Sequence, residues 1–213
     1  MDWERLDEAT IRQRLTQAKA YPPDDPYPPG LLRTPPRPAA VLIPFVRHQE
    51  RWHLLFIHRA ENPHDPHSGQ VSFPGGRSED GERPPETALR ETEEELGISP
   101  RMVRLLGEMP HQRTISNYWI TPLVGVLSWP VPLQPAAAEV TRVFLIPLAW
   151  LADPANREIR LRETPAGLPP FPIVYYRPYQ GEIIWGATAR MVLRLLDILR
   201  GQGQRPTLAP FQN

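Results

Sequence analysis

The sequence predicts an α/β protein, a mixed β-sheet with helices on its two faces. Three observations carry that reading. Short apolar runs rich in β-branched residues recur along the chain, separated by Gly, Pro and polar clusters. Other segments place their apolar residues at a helical period. The 213 residues suffice for one substantial core and are too few for two comfortable domains.

Residues 3–19 read as a short amphipathic helix marked by Leu6, Ile11 and Leu15. Residues 21–37 are rich in proline, which predicts an extended connector. Residues 39–46 and 53–57 are apolar runs around the polar Arg47-His48-Gln49-Glu50-Arg51, the pattern of a β-hairpin. A short strand at 70–73 delivers the chain into Pro74-Gly75-Gly76, where glycine permits sharp turns. Pro84 and Pro85 suit the first turn of a helix, where a missing N–H removes no bond. Residues 86–96 then contain no Gly or Pro, and Gly97 is a natural stop. Residues 102–109, 118–127 and 141–147 read as further strands, with a helical turn over 148–151. Residues 157–162 and 173–176 predict a late hairpin, and 182–185 a brief strand. The last helix spans 187–200, with Met191, Val192, Leu195, Leu196 and Leu199 at a helical period. The expected division is an N-terminal helix and Pro-rich connector over 1–38, a main domain over 39–200, and a loose tail over 201–213.

The chemistry concentrates between Gly76 and Gly97. On the predicted helix Glu91, Glu94 and Glu95 share one arc, while Ala88, Leu89, Thr92 and Leu96 share another that would pack on the core. Carboxylates spaced i, i+3 and i+4 repel one another, so the stripe calls for positive charge. Oxygen donors without His or Cys suit Mg²⁺ or Mn²⁺ rather than zinc. A glutamate run by itself is more often a solvated helix face. Here Glu82 and Arg90 stand at fixed spacing from it, and Arg90 is placed to orient the preceding loop through a salt bridge.

Gly76, Glu82, Arg90, Glu91, Glu94, Glu95 and Gly97 together resemble the Nudix box, with Thr92 where that family usually has an aliphatic residue. The resemblance implies the Nudix fold, an α/β/α sandwich with a mixed β-sheet and a catalytic loop-helix-loop. It also implies hydrolysis of a nucleoside diphosphate linked to another group. Leu54-Leu55-Phe56-Ile57-His58-Arg59-Ala60 and Gly69-Gln70-Val71-Ser72-Phe73-Pro74-Gly75-Gly76 resemble the signature of the coenzyme A pyrophosphatase subfamily, with His67 matching between them. Two features depart: Phe56 or Ile57 replaces a threonine, and the spacer from Arg59 to His67 is one residue longer than the commonest form. Ile184-Trp185-Gly186-Ala187-Thr188-Ala189 resembles the start of the last helix in that subfamily.

The resemblance implies a Mg²⁺- or Mn²⁺-dependent enzyme that splits coenzyme A, or an acyl form, into 3′,5′-ADP and 4′-phosphopantetheine. It makes Glu91 and Glu95 the leading metal ligands, with Glu94 as a third or water-mediated one and the Gly75 or Gly76 carbonyl completing the shell. Glu94 and Glu139 both stand as the general base. Arg59, Arg77 and Arg113 are the candidate phosphate-binding cations, since guanidinium matches phosphate oxygens. His67, Gln70 and Phe73 belong to the substrate loop, where His64 and His67 are expected to be hydrogen-bonders rather than ligands. The enzymatic alternative is another Nudix substrate: ADP-ribose, NADH or an oxidised nucleotide. A non-catalytic nucleotide sensor is the alternative of a different class, disfavoured because all the box glutamates are kept.

Composition narrows the partners. The 24 basic and 24 acidic residues balance, so neither nucleic acid nor an anionic membrane is an expected partner. Cysteine is absent, which excludes disulfides, thiolate catalysis and Cys-bound metals. The first twenty residues lack a secretory apolar core and no apolar run is long enough to span a bilayer, so a cytoplasmic protein is expected. The sequence assigns no oligomeric state.

Overall fold

The strand at the centre of the sheet is β1, Arg37–His48, in a computed structural model that describes residues 1–32, 35–61, 68–165 and 167–202. It turns antiparallel into β2, Arg51–Arg59, through Gln49 and Glu50, both at positive φ (49° and 59°). That two-residue turn matches the right-handed twist of the flanking strands. On its other edge β1 runs parallel to β7, Tyr118–Leu127, over ten consecutive pairs from Arg37↔Tyr118 to Val46↔Leu127. β5, Val103–Glu108, and the short β6, Gln112–Arg113, pair antiparallel with β7. β8, Val140–Pro147, pairs with β2.

β1 and β2 do not stay together. They pair from Phe45↔Leu54 to His48↔Arg51 and then part. The fork is filled by β3, Val71–Ser72, on β2 and by β4, Gly75–Arg77, on β1. This fork positions the site.

The sheet is buried on both faces, which is why β1 reads as a continuous apolar run rather than an alternating one. Val41, Ile43 and Phe45 join a cluster with α1, Glu8–Ala18, and α4, Gly186–Leu199. Ala40 and Leu42 face the other way, against Ala88 of α2, Pro84–Leu96. Leu55 and Ile57 pack with Leu96 on that same side. The architecture is an α/β/α sandwich around a mixed sheet. A short helix α3, Leu148–Ala152, follows β8, and β9, Arg157–Arg162, pairs with β10, Phe171–Tyr176, as a separate ribbon.

Helix α1 is shorter than its sequence pattern, beginning at Glu8 because the Asp7 carboxylate accepts from Thr10 N at 2.7 Å and caps it. Leu6, Ile11 and Leu15 are buried in the main core. The connector after it is tied down as well: Asp24 N donates to His111 O (2.8 Å) and Arg113 N donates to Asp24 O (2.9 Å). Two sequence expectations need correcting. β6 went unforeseen, since two residues give no period to read. The strand expected over 182–185 is reduced to isolated antiparallel bridges, Glu182 to Tyr179 across a tight turn with Gln180 and Gly181 at positive φ, and Trp185 to Tyr175. The expected tail lies almost wholly outside the described residues. No described helix is long and apolar enough to cross a membrane.

Candidate active site

Helix α2 is built to hold its acidic face against the fork. Pro84 and Pro85 occupy its first turn, and the Glu86 carboxylate accepts from Arg83 N at 2.9 Å. Gly97 ends it in the left-handed conformation (φ 69°), donating to Glu93 O at 2.8 Å. Thr92 is buried and donates its hydroxyl to Ala88 O at 2.6 Å, so the polar atom is satisfied within the helix.

Arg90 is the hub of the outer part. Its Nε donates to Glu82 Oε1 at 2.7 Å and one terminal nitrogen to Glu82 Oε2 at 3.1 Å. That nitrogen also reaches Arg77 O (3.1 Å), and the other donates to Glu91 and to Glu94, each at 2.9 Å. One planar guanidinium therefore fixes the loop before the helix, strand β4 and two glutamates. Glu82 takes two further bonds, from Glu79 N (2.9 Å) and Thr87 Oγ1 (2.8 Å). Hydrogen bonding from Arg90, then from the Glu79 backbone, holds its carboxyl at about 2.

The inner part is different. Glu95 is 1% exposed, with Oε1 accepting from Arg59 at 3.0 Å and Oε2 from Gly75 N at 3.0 Å. Burial pushes its carboxyl up to about 7 against those two donors, and Glu91 and Glu139 push the same way. Glu91, one turn earlier, is also raised by burial, which outweighs its bond from Arg90. Glycine is required opposite them. A Cβ at Gly76 would stand 2.5 Å from the Glu91 carboxylate, and one at Gly75 (φ 147°) would stand 2.4 Å from Ala40 O.

These groups line a cavity of about 670 Å³. One end holds Glu91, Glu95, Gly75, Gly76 and Arg59, with Arg77, Glu139 and Arg162 also in the lining. The remainder is largely apolar and aromatic, including Tyr27, Ile120, Phe171 and Met191.

Most of the described sequence-derived site residues line this cavity; Arg90, Glu94 and Arg113 do not. Gln70 lines the cavity, as does Phe73, whose buried ring stacks on Phe56 at 4.7 Å between centroids. Arg113 does not line it: the residue is buried on β6 and donates to Asn117 Oδ1 at 2.8 Å, so its guanidinium serves the 114–117 turn. Glu94 does not line it either, its side chain being 56% exposed and turned to Arg90. His67, like His64, lies outside the described residues. Sequence reasoning missed Tyr27, Arg162, Phe171 and Met191 as site residues. Nothing local marks them, since only long-range packing brings the connector, the β9–β10 ribbon and α4 to one cavity. The Ile184-Trp185-Gly186 segment was the one available signal, and Trp185 also lines the cavity.

The donors fit a hard divalent cation. Glu91 and Glu95 are paired carboxylates at one end of a cavity, both pushed toward protonation by burial and then by neighbouring carboxylates, Glu94 and Glu139 acting on Glu91, and Glu91 and Glu139 on Glu95. A cation beside them would relieve both effects. Among the described residues no three acidic or histidine groups form a ready-made metal cage. Two carboxylates suffice for Mg²⁺ when substrate phosphates and water complete the shell.

Comparison with known proteins gives a family. The family model of the NUDIX domain matches residues 35–164. An uncharacterized Nudix hydrolase, NudL, of Pectobacterium atrosepticum is 33% identical over 168 residues, covering 75% of this chain and 81% of that protein. The NudL of Yersinia pestis (strain Pestoides F) is 37% identical over 160 residues, covering 75% of this chain and 78% of its own. Among solved structures, a C. elegans Ap4A hydrolase binary complex superposes with a TM-score of 0.45 at 18% identity, covering 53% of this chain and 81% of that one.

Proposed function

Because this chain belongs to the Nudix hydrolase family and is a hydrolase of nucleoside diphosphate derivatives, we propose that its substrate is coenzyme A or an acyl derivative. The products are then 3′,5′-ADP and 4′-phosphopantetheine or its acyl form. One observation carries the proposal. The two segments that resemble the coenzyme A pyrophosphatase signature form one wall of the cavity, through Arg59, Gln70, Phe73, Gly75 and Gly76, beside Glu91 and Glu95.

Glu91 and Glu95 are the residues that would hold Mg²⁺ or Mn²⁺. When bound, such an ion neutralises diphosphate charge and acidifies water. The chain supplies the rest. Arg59 and Gly75 N fix the two oxygens of Glu95, so that carboxylate is oriented before substrate arrives. Gly76 lets the Glu91 carboxylate lie against the backbone of β4. Arg77 and Arg162 line the cavity with exposed guanidinium groups and form no ion pair among the described residues, which suits them to phosphate oxygens. Of the two base candidates, Glu139 lines the cavity and Glu94 does not, so Glu139 is assigned to accept the proton of the attacking water.

The test is product analysis with coenzyme A, acetyl-coenzyme A, ADP-ribose and NADH as separate substrates. The proposal expects 3′,5′-ADP from the first two, with kcat/KM at least about tenfold above ADP-ribose, the discrimination of one charge-assisted phosphate contact. A higher kcat/KM for ADP-ribose or NADH would replace coenzyme A with that substrate.

A further inference from the structure

We infer that the apolar end of the cavity is a specificity site for an alkyl or acyl chain on the substrate, and that Tyr27 of the N-terminal connector completes it. The inference rests on the preceding section only in taking the substrate to be a diphosphate with a further group attached.

Tyr27 and Phe171 lie outside the residues that match the family domain, one before and one after, yet both line the cavity that holds Glu91 and Glu95. Their rings meet edge to face, with centroids 5.0 Å apart at 68°. Ile115, Ile120, Ile173 and Met191 line the same cavity. Ile115 lines the cavity while 44% exposed, so it offers apolar surface that a bound chain would cover.

The connector is held in place by more than its ends. Asp24 and Arg190 form an ion pair at 2.7 Å with side chains 8% and 4% exposed, its angle outside hydrogen-bond geometry. Arg190 also donates to Arg113 O, and its guanidinium carbon lies 5.4 Å from the centre of the Tyr27 ring. A buried ion pair is costly to desolvate and strongly destabilising to break. Its presence under a proline-rich linker fits a segment that must stay in register. The pair places Tyr27 against the cavity, so Asp24 and Arg190 are positioning residues.

An alkyl chain fits this end better than a nucleobase. Tyr27 and Phe171 are engaged edge-on with each other, and Trp185 stacks on Tyr175 with centroids 5.8 Å apart at 6°. No pair of parallel faces is left among these rings to sandwich a purine. A chain needs only apolar surface, and each buried methylene is worth ~0.8 kcal/mol, about fourfold in affinity.

The test uses alkyl esters of ADP, from ethyl to octyl on the terminal phosphate, with the wild type, Tyr27→Ala, Tyr27→Phe and Ile115→Ser. In the wild type KM should fall with each added methylene, by up to about fourfold, while kcat stays level, because the gain is equal in ground and transition states. Tyr27→Ala and Ile115→Ser should flatten that slope, and Tyr27→Phe should keep it. Ile115 is on the rim, so its variant decides the matter even if Tyr27→Ala fails to fold. A KM independent of chain length in the wild type overturns the inference. So does a slope that survives both Tyr27→Ala and Ile115→Ser, or a response to replacing adenine by uracil larger than the response to the whole chain series. The esters contain no pantetheine. A steep series from an enzyme inactive on coenzyme A would therefore support the chain site and sink the coenzyme A reading alone.

Discussion

Glu82 and Glu95 belong to one motif, and their surroundings push them in opposite directions. Glu82 accepts from both faces of the Arg90 fork, from Glu79 N and from Thr87, and its carboxyl is held at about 2. Glu95 is deeper, accepts from one guanidinium and one backbone N–H, and is pushed up to about 7. The chain has finished neutralising the first carboxylate and has left the second short of positive charge. Burial first, and then the number and kind of donors, separate these two carboxylates of one motif.

The largest expected effect exchanges the two roles. Glu95→Gln should cut kcat by more than the roughly 10–100-fold typical of losing a metal's outer-shell partner. Glu82→Gln should cut it less and should instead lower stability, by about 1–3 kcal/mol, because Arg90 and its other donors lose a charged acceptor. Urea unfolding and steady-state kinetics on both variants check this. Equal losses of activity and stability in the two would erase the distinction.

A second effect is the pH dependence of the metal-free protein. The folded value of Glu95 lies above the ordinary 4.5, so the stability tied to its proton is complete below pH 4.5 and is lost as the pH rises through about 7. The folded value of Glu82 lies below 4.5, so its contribution is present above that pH and is lost as the pH falls toward 2. In EDTA the melting temperature should therefore decline between pH 5 and 8, by the equivalent of on the order of 2–3 kcal/mol. Glu95→Gln should remove that decline and leave the acid limb unchanged. A decline that persists in Glu95→Gln places the buried charge elsewhere.

A third and smaller effect concerns the arginines. Arg59 is already committed to Glu95, so Arg59→Ala should weaken coenzyme A and dephospho-coenzyme A equally. Arg77 is exposed, lines the cavity and has no ion pair among the described residues, so Arg77→Ala should lower the preference for the 3′-phosphorylated substrate by up to about tenfold. Comparing kcat/KM for the two substrates separates the cases. A changed ratio in Arg59→Ala alone would return Arg59 to the substrate site.

The sequence carried the glutamate helix well because its signals are local. Prolines at the start, Gly97 at the end and a 3.6-residue period are all read from neighbours. The long strands and the β9–β10 ribbon were legible for the same reason. What could not be read was which side of a helix a charge serves. Glu94 and Glu95 are adjacent in the chain, yet one is 56% exposed at Arg90 and the other is closed in beside Gly75. Arg113 reads in the sequence as a candidate phosphate-binding cation and is buried instead, with the turn at Asn117 folded back onto it. Tyr27 and Phe171 reach the cavity only through tertiary packing, and no pattern in a single sequence records that. Composition set bounds on partners and chemistry, but distances between segments came from the fold.

We propose that Glu91 and Glu95 hold a divalent cation while Glu82 and Glu94 serve Arg90 and the loop. Calorimetric titration of Mn²⁺ into the wild type and four single Glu→Gln variants tests it most directly, with no substrate present. Glu91→Gln and Glu95→Gln should each weaken binding by about tenfold or more, the size of one lost charge-assisted contact. Glu82→Gln and Glu94→Gln should stay within about threefold of the wild type. Wild-type affinity in folded Glu95→Gln, or a loss in Glu94→Gln as large as that in Glu91→Gln, would contradict the account.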